Sequence, residues 1–385
     1  MKIGIEGQRL FRTKKHGMDM VALELIRELQ KIDTENQYFI YVKPDEDREC
    51  LQATDNFKIV ELEGGSYPQW EQIALPKQAR KDGCDILHCT SNTAPTKPGM
   101  PLVVTLHDII YMEKSYLGIL RDKGTPYQKF GNVYRRWYVP KIVKNCDVLI
   151  TVSNFEKKRI SDFFGLTDNR RHAVYNGVSE HFKPITDQAE LNRIKNKYKL
   201  PDKFFFFLGN TDPKKNTKGA LKAFSEYRRK SNEDFKLVML DYDEDELMKL
   251  LNEIGDPTLR KHILLTGYVV NTDLPAIYGL CDIFLYPSLR ESFGIPMLEA
   301  MRCAVPVITS NTSSMPEVSG GGAYIIDPFN PEEITKAMFA IQNDEKLRAS
   351  LIEKGLKRAE YFSWKNMAIN VLDLYKMVHK EKNTK

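Results

Sequence analysis

The sequence predicts two consecutive doubly wound α/β domains, each a parallel sheet covered by helices. Three observations predict this. Short β-branched or aromatic runs alternate with helical patterns along nearly the whole chain, the order that parallel sheets require. The length of 385 residues suits two to three domains of about 150 residues each. The alternation breaks once, over residues 177–203, where the turn Asn176-Gly177, then Lys183-Pro184 and a charged stretch ending in Leu200-Pro201-Asp202 read as a linker. Residues 1–182 and 183–363 are therefore the expected domains.

The chain opens on a strand, Lys2 to Ile5, because Glu6 and Gly7 end the apolar stretch far too early for a signal-peptide core. Met18, Val21, Ala22, Leu25, Leu29 and Ile32 then form one apolar face at helical spacing. Strands follow at Tyr38 to Val42, Lys58 to Leu62, Asp85 to Cys89, Leu102 to Leu106, Val148 to Val152 and His172 to Tyr175. The second series starts at strand Phe204 to Leu208. It runs through helix Lys218 to Arg229, strand Phe235 to Leu240, helix Glu244 to Ile254, strand Ile263 to Thr266 and helix Leu274 to Cys281. Strand Ile283 to Tyr286, helix Pro296 to Arg302 and strands Val305 to Thr309 and Tyr324 to Ile326 complete it. Only helical patterns remain after Asp327: Pro331 to Ile341, Glu345 to Tyr361 and Trp364 to Val378.

Composition narrows the function classes. Lys plus Arg total 57 against 52 Asp plus Glu, so the net charge of +5 does not imply nucleic-acid binding. The longest apolar runs are strand-length, well short of the roughly 18 residues of a membrane span. Six cysteines without a CxxC pair are expected to be reduced, mostly buried thiols of a cytoplasmic protein.

Doubly wound sheets bind ligands at the carboxyl ends of their strands, where the strand order reverses, and two such domains facing each other would hold a ligand in the cleft between them. Four clusters stand after strands. After Tyr286 comes the run from Pro287 to Met301, in which Pro296 suits a first helical turn and Ser292, Phe293 and Gly294 supply backbone N–H groups that can cradle a phosphate. Glu291 and Glu299 flank that anion site, acceptor-only groups suited to sugar hydroxyls. After Leu208 come Gly209, Asn210 and then Lys214 and Lys215, able to neutralise a diphosphate. His107 leaves the strand Leu102 to Leu106, where it can donate to a ligand oxygen or simply bond to backbone, and Gly17 opens the first helix, either as a turn residue or to permit close approach of an anion.

These residues resemble the family 4 glycosyltransferases, retaining nucleotide-sugar enzymes of the two-domain GT-B fold. The likeness runs along nearly the whole chain. Glu291 and Glu299 match the family's Glu-x7-Glu motif, and Thr105 to Asp108, Asp147 to Ser153, Val174 to Val178 and Pro213 to Asn216 are also similar. The resemblance implies that Glu299 binds ribose hydroxyls and Glu291 donor-sugar hydroxyls, and that Lys215 with the amides of Ser292, Phe293 and Gly294 holds the diphosphate. It also implies that His107 contacts the donor sugar, that Gly17 lets its loop close over the phosphates, that Tyr268 and Val269 meet the nucleobase, and that the helix 364–385 crosses back to the first domain. The chain departs from the pattern in carrying Asn210 where many members have arginine, and Arg290 where the residue is often neutral or acidic.

The implied reaction is retaining transfer of a hexose from a GDP-mannose or UDP-hexose type donor to a glycan or lipid-linked hydroxyl in polysaccharide biosynthesis. No cofactor and no metal are expected. Asp241 and Asp243 have the spacing of a metal clamp but read as a solvated acidic turn. Two other readings stay open: a sugar-nucleotide epimerase of similar fold, and a non-catalytic partner in glycan biosynthesis. Between Glu113 and Asn145, the aromatic stripe Tyr127, Phe130, Tyr134 and Trp137, with Lys123, Lys129, Arg135, Arg136, Lys141 and Lys144, reads either as a packed helix with a basic face or as a surface for an anionic membrane or lipid-diphosphate acceptor. The second alternative implies peripheral contact with the inner face of the membrane.

Overall fold

The computed structural model describes residues 1–113, 126–167 and 169–383. The chain divides into two compact units, Met1–Gly177 with Trp364–Lys385, and Val178–Ser363.

The first unit is a seven-stranded sheet of β1 (Lys2–Glu6), β2 (Gln37–Val42), β3 (Phe57–Glu61), β4 (Ile86–Cys89), β5 (Leu102–Thr105), β6 (Val148–Thr151) and β7 (Arg171–Ala173), in the order β3-β2-β1-β4-β5-β6-β7. Every pairing is parallel. The order reverses between β1 and β4. Helix Gly17–Ile32 buries Val21, Ala22, Leu25 and Leu29, the face its spacing predicts, and packs against the closing helix Trp364–Asn383. A buried polar link reinforces that closing helix: His88 on β4 lies 2.6 Å through Nδ1 from the Tyr375 hydroxyl and 2.8 Å through Nε2 from Thr105 Oγ1. Burial pushes the His88 pKa down to about 3, so this imidazole is neutral at any working pH.

The second unit is a six-stranded parallel sheet of β8 (Phe204–Phe207), β9 (Lys236–Met239), β10 (Ile263–Leu265), β11 (Ile283–Tyr286), β12 (Val307–Ser310) and β13 (Tyr324–Ile326), in the order β10-β9-β8-β11-β12-β13. Here the reversal lies between β8 and β11. The phenylalanines of β8 explain its central place: Phe205 and Phe207 enter one core with Leu221, Phe224 and Tyr227 of helix Thr217–Lys230, while Phe206 meets Tyr278 and Phe284 on the opposite face.

Two expectations need correction. The stretch 177–203 is not a plain linker, since it contains the helix Gln188–Tyr198, started by the Asp187 carboxylate accepting from the Ala189 N–H at 2.9 Å. Only Ile194 and Tyr198 are buried on it, too few apolar positions among lysines to register as a stripe. The second unit also begins at Val178, before the expected 183: the Val178 N–H donates to the Phe362 carbonyl at 3.1 Å, and the ring of buried Phe182 lies 6.0 Å from that of Tyr278. Helix Asn154–Phe164, capped by Ser153 accepting from the Glu156 N–H at 3.2 Å, is a further element that the pattern reading missed.

Candidate functional site

In the second unit the candidate residues converge at the reversal between β8 and β11. Asn216 adopts φ +57° to start helix Thr217–Lys230, and its Nδ2 donates to the carbonyls of Pro287 at 3.0 Å and Pro328 at 2.7 Å. The Leu289 N–H donates to the Lys214 carbonyl at 2.7 Å, so the loops after β8 and β11 are tied directly. That tie presents Lys215 to Glu291. The Lys215 ammonium donates to Glu291 Oε1 at 2.6 Å, with the two side chains 16% and 11% exposed. The ammonium also stands 3.4 Å from the Tyr286 hydroxyl and 5.2 Å from its ring centroid. A cation and a carboxylate brought together by adjacent strands form a charged pair at the mouth of the sheet, where a ligand's phosphate can compete for the cation and its hydroxyls for the carboxylate.

The helix Ile295–Arg302 begins beside that pair. Gly294 sits at φ +98°, and a Cβ there would come 2.4 Å from Met315 Cε. The positive φ is what calls for glycine here, since the end of the flexible Met315 side chain could give way to a Cβ. The loop ahead of the helix is braced by hydroxyls that the sequence reading passed over. Ser310 Oγ donates to the Ser288 carbonyl, Thr312 Oγ1 to that of Leu289 at 3.1 Å, and Ser314 Oγ to those of Glu291 at 3.0 Å and Phe293 at 3.2 Å. Ser313 Oγ accepts from the Glu291 N–H at 3.1 Å. The signal was a run of small hydroxyl residues directly after β12. The Phe293 ring is buried with its centroid 5.5 Å from that of Phe362, so this residue's polar contribution is its backbone.

Glu299 lies a turn into the helix, half-buried, and accepts from the Tyr278 hydroxyl at 3.1 Å through Oε2. Burial raises its pKa to about 7 against the opposing pull of that hydrogen bond. The remaining second-unit candidates spread along the same carboxyl edge of the sheet. Tyr268, after β10, is 75% exposed and Val269 is buried. Asn210 is exposed, and its Oδ1 accepts from the Asp212 N–H at 2.9 Å. Lys214 leans on Asp212 at 3.6 Å, and the Arg290 Nη1 donates to the Glu291 carbonyl at 3.1 Å. Asp241 and Asp243 are exposed, with Asp243 capping helix Glu244–Glu253 by accepting from the Glu246 N–H at 2.9 Å. Among the described residues no three His, Cys, Asp or Glu side chains converge in metal-binding geometry.

The first unit carries Gly17 and His107, both at the carboxyl side of its own sheet. His107 is buried. Its N–H donates to Asn92 Oδ1 at 2.6 Å, and its Nε2 lies 3.0 Å from the Thr90 carbonyl. A carbonyl only accepts, so Nε2 carries the hydrogen and the neutral ring offers Nδ1 as an acceptor. Of the two roles open to it, the ring takes the bond to backbone: its one proton is spent there, and burial, which lowers the His107 pKa, disfavours a second. Gly17 leads helix Gly17–Ile32 with no atom within 4 Å of where a Cβ would stand. Just inside that helix, the buried Asp19 accepts from the His16 N–H at 3.0 Å and pairs with Arg9 Nε at 3.0 Å. Neither Arg9 nor Asp19 was foreseen.

The aromatic stripe divides. Tyr134 is buried, and its hydroxyl donates to Glu71 Oε1 at 2.6 Å. Glu71 is itself buried and also accepts from the Tyr67 hydroxyl at 2.9 Å, with its pKa raised by burial. Phe130 and Trp137 of the same helix, Pro126–Asn145, are 53% and 65% exposed, and Lys141 stands 4.8 Å from the Trp137 ring. Arg135 lies 5.6 Å from the Tyr111 ring, and Arg136 donates to the Met112 carbonyl at 2.9 Å, so those two guanidiniums serve packing within the unit. Lys123 and the side chain of Tyr127 lie outside the described residues. No described helix is long and apolar enough to cross a membrane.

With this geometry in view, residues 16–182 match the family described as Glycosyltransferase Family 4, and residues 188–358 the family described as Glycosyl transferases group 1. The O-antigen chain mannosyltransferase B of Escherichia coli is 32% identical over 234 residues, 60% of this chain and 61% of that protein. The serotype-specific mannosyltransferase WbdA of the same organism is 29% identical over 240 residues, 61% of this chain and 29% of that protein. The chain thus matches under two thirds of the length of either relative. The crystal structure of Anabaena Alr3699/HepE in complex with UDP superposes with a TM-score of 0.74 over 98% of this chain and 100% of that one at 15% identity, a likeness of fold. The two parallel-sheet units and this likeness make the fold GT-B.

Proposed function

We propose, since the chain belongs to glycosyltransferase family 4, that it transfers a hexose, with retention and without a metal, from a nucleotide-diphosphate sugar to a hydroxyl of a glycan or lipid-linked acceptor in polysaccharide biosynthesis. The observation that carries this reading is the Lys215–Glu291 pair at the reversal between β8 and β11, beside the start of helix Ile295–Arg302. Donor identity is proposed as GDP-mannose or UDP-hexose type. Mannose is favoured by the names of the two bacterial relatives, both mannosyltransferases.

In the reaction, the bond between the anomeric carbon and the diphosphate oxygen breaks, and a bond forms from that carbon to the acceptor oxygen on the same face. The acceptor's proton passes to the departing phosphate oxygen, leaving a nucleoside diphosphate and a glycoside. Lys215 and the backbone from Ser292 to Gly294 stabilise the charge growing on the leaving group, the term that selectively lowers the barrier. Glu291 holds donor-sugar hydroxyls and Glu299 holds the ribose. Tyr268 and Val269 border the base, with Asn210 at the phosphates. No protein base is needed.

Incubation with a panel of sugar nucleotides, following nucleoside diphosphate release with and without acceptor, tests the reading. Release dependent on acceptor, unaffected by chelator and giving an α-linked product from an α-linked donor is expected. Donor isomerisation without acceptor, or no turnover, would reject transfer. Activity lost in chelator and restored by Mg²⁺ or Mn²⁺ would reject the metal-free part, and a β-linked product the retaining part.

The exposed Phe130 and Trp137 with Lys141 support a further element of the proposal, a cytoplasmic enzyme touching the anionic inner face of the membrane through helix Pro126–Asn145. Amphipathic aromatics with lysines are the composition such interfaces use.

A further inference from the structure

We infer that Tyr278 is a positioning residue for the nucleoside end of the donor, acting through the Glu299 carboxylate. The inference rests on the reading of Glu299 as the ribose acceptor and adds a residue to it.

Tyr278 comes from helix Leu274–Leu280, an element apart from the loops that carry the phosphate-binding candidates. Its side chain has no exposure. Three aromatic rings set its direction: Phe206 and Phe284 at 5.2 Å between centroids and Phe182 at 6.0 Å, with interplanar angles of 71°, 79° and 69°. A ring wedged edge-on among three others cannot swing, because the interior is packed to crystal-like density. The hydroxyl is therefore held where the packing puts it, with Glu299 Oε2 at 3.1 Å and the Pro296 carbonyl more distant at 3.4 Å. The carbonyl and the ionised carboxylate can only accept, so the tyrosine proton goes to one of them, and the carboxylate is the stronger partner.

The consequence falls on Glu299. A glutamate has three side-chain torsions to fix before it can grip two vicinal hydroxyls, and a partner that anchors Oε2 in advance leaves Oε1 aimed by the ring cluster. The same hydroxyl favours the ionised form of a carboxyl whose surroundings otherwise favour the neutral acid. A ribose hydroxyl donates to the ionised form without competition. Tyr278 thus couples a core packed on β8 and β11 to a ligand it does not touch. The alternative role, a buried hydroxyl satisfied by the nearest acceptor, predicts a loss of stability with no change in ligand preference.

Isothermal titration of the full chain and of Tyr278→Phe with UDP, GDP, ADP and inorganic pyrophosphate separates the two roles. Tyr278→Phe keeps the ring and removes one oxygen, and a thermal melt checks its fold. The expected result is a Kd for the preferred nucleoside diphosphate raised about 10-fold, what one charge-assisted hydrogen bond supplies, with pyrophosphate unchanged within about twofold. In turnover the donor KM should rise while kcat holds. Combining Tyr278→Phe with Glu299→Gln should cost no more than Glu299→Gln alone, because the tyrosine acts through that carboxylate. Additive losses, equal weakening of pyrophosphate, or an unchanged nucleotide Kd in Tyr278→Phe while Glu299→Gln weakens it would each overturn the inference and leave the reading of Glu299 standing. A Glu299→Gln variant that binds nucleotide like the parent, or a parent that binds none of the three, would overturn both.

Discussion

If Glu299 holds the ribose as proposed, donor binding should depend on pH in a calculable way. Burial raises its pKa from the ordinary 4.5 to about 7 in the free protein. The groups that face it do not titrate nearby: Tyr278 and Tyr286 are pushed well above their usual range and Cys303 to about 12, all by burial first. If only the ionised carboxylate grips the ribose, the competent fraction is about one tenth at pH 6 and about nine tenths at pH 8, so the Kd for a nucleotide sugar should fall about tenfold between them. A nucleotide sugar is the probe of choice because its bridging phosphates carry no proton in this range. Stability should move the other way. The folded state holds a proton that the unfolded chain releases above pH 4.5, so stability falls as pH rises towards 7 and the cost persists above it. Its size is on the order of 3 kcal/mol, and Glu299→Gln should therefore raise the Tm at pH 8 more than at pH 5. Titration of parent and Glu299→Gln at pH 6, 7 and 8, with melts in the same buffers, reads both effects. A parent whose affinity is flat with pH, or a glutamine variant that keeps the slope, would refute the argument.

Lys215→Ala and Glu291→Ala should each cut turnover at least ~100-fold, since each removes a charge-assisted contact worth roughly 1.5–3 kcal/mol and leaves its partner misplaced; initial rates on purified, folded variants check this, and values within a few-fold of the parent would remove the pair from the site. Tyr375→Phe should lower stability by about 1–3 kcal/mol by stranding the buried Nδ1 of His88, read by urea denaturation, and an unchanged midpoint would show that the His88 link does not hold the closing helix. Replacing Phe130, Trp137 and Lys141 by serine should reduce pelleting with anionic liposomes and leave turnover on a short soluble acceptor nearly intact. Each lysine near such a surface contributes about 1 kcal/mol, screened over about 8 Å at physiological salt. A parent that does not pellet at low salt would reject membrane contact, and equal loss on the soluble acceptor would place these residues at the acceptor instead.

The thirteen strands among the described residues were all legible in the sequence, and the central ones most plainly, because a strand buried on both faces is an unbroken apolar run: Phe204 to Phe207 could be little else. The gathering of Lys215, Glu291 and Gly294 at the carboxyl edge of the second sheet was legible too, because they follow strands that flank its reversal. The polar helix Gln188–Tyr198 was hidden, since its support is Asp273, contributed from 75 residues away through the Tyr198 hydroxyl. The division of the aromatic stripe was also decided in three dimensions: period alone places Tyr134 beside Phe130 and Trp137, but only packing against Glu71 and Tyr67 buries one ring and leaves the other two in solvent. His107 is a donor or an acceptor according to which backbone carbonyl claims its proton. The sequence by itself thus determined which strands form and which side chains stand at their ends, because these follow from local periodicity. Only the tertiary structure decided which hydroxyl braces which carboxylate, Tyr278 on Glu299 and Ser313 and Ser314 on the Glu291 loop, because hydrogen bonds between elements depend on strand order, and neighbours in a crossed-over sheet are far apart in the chain.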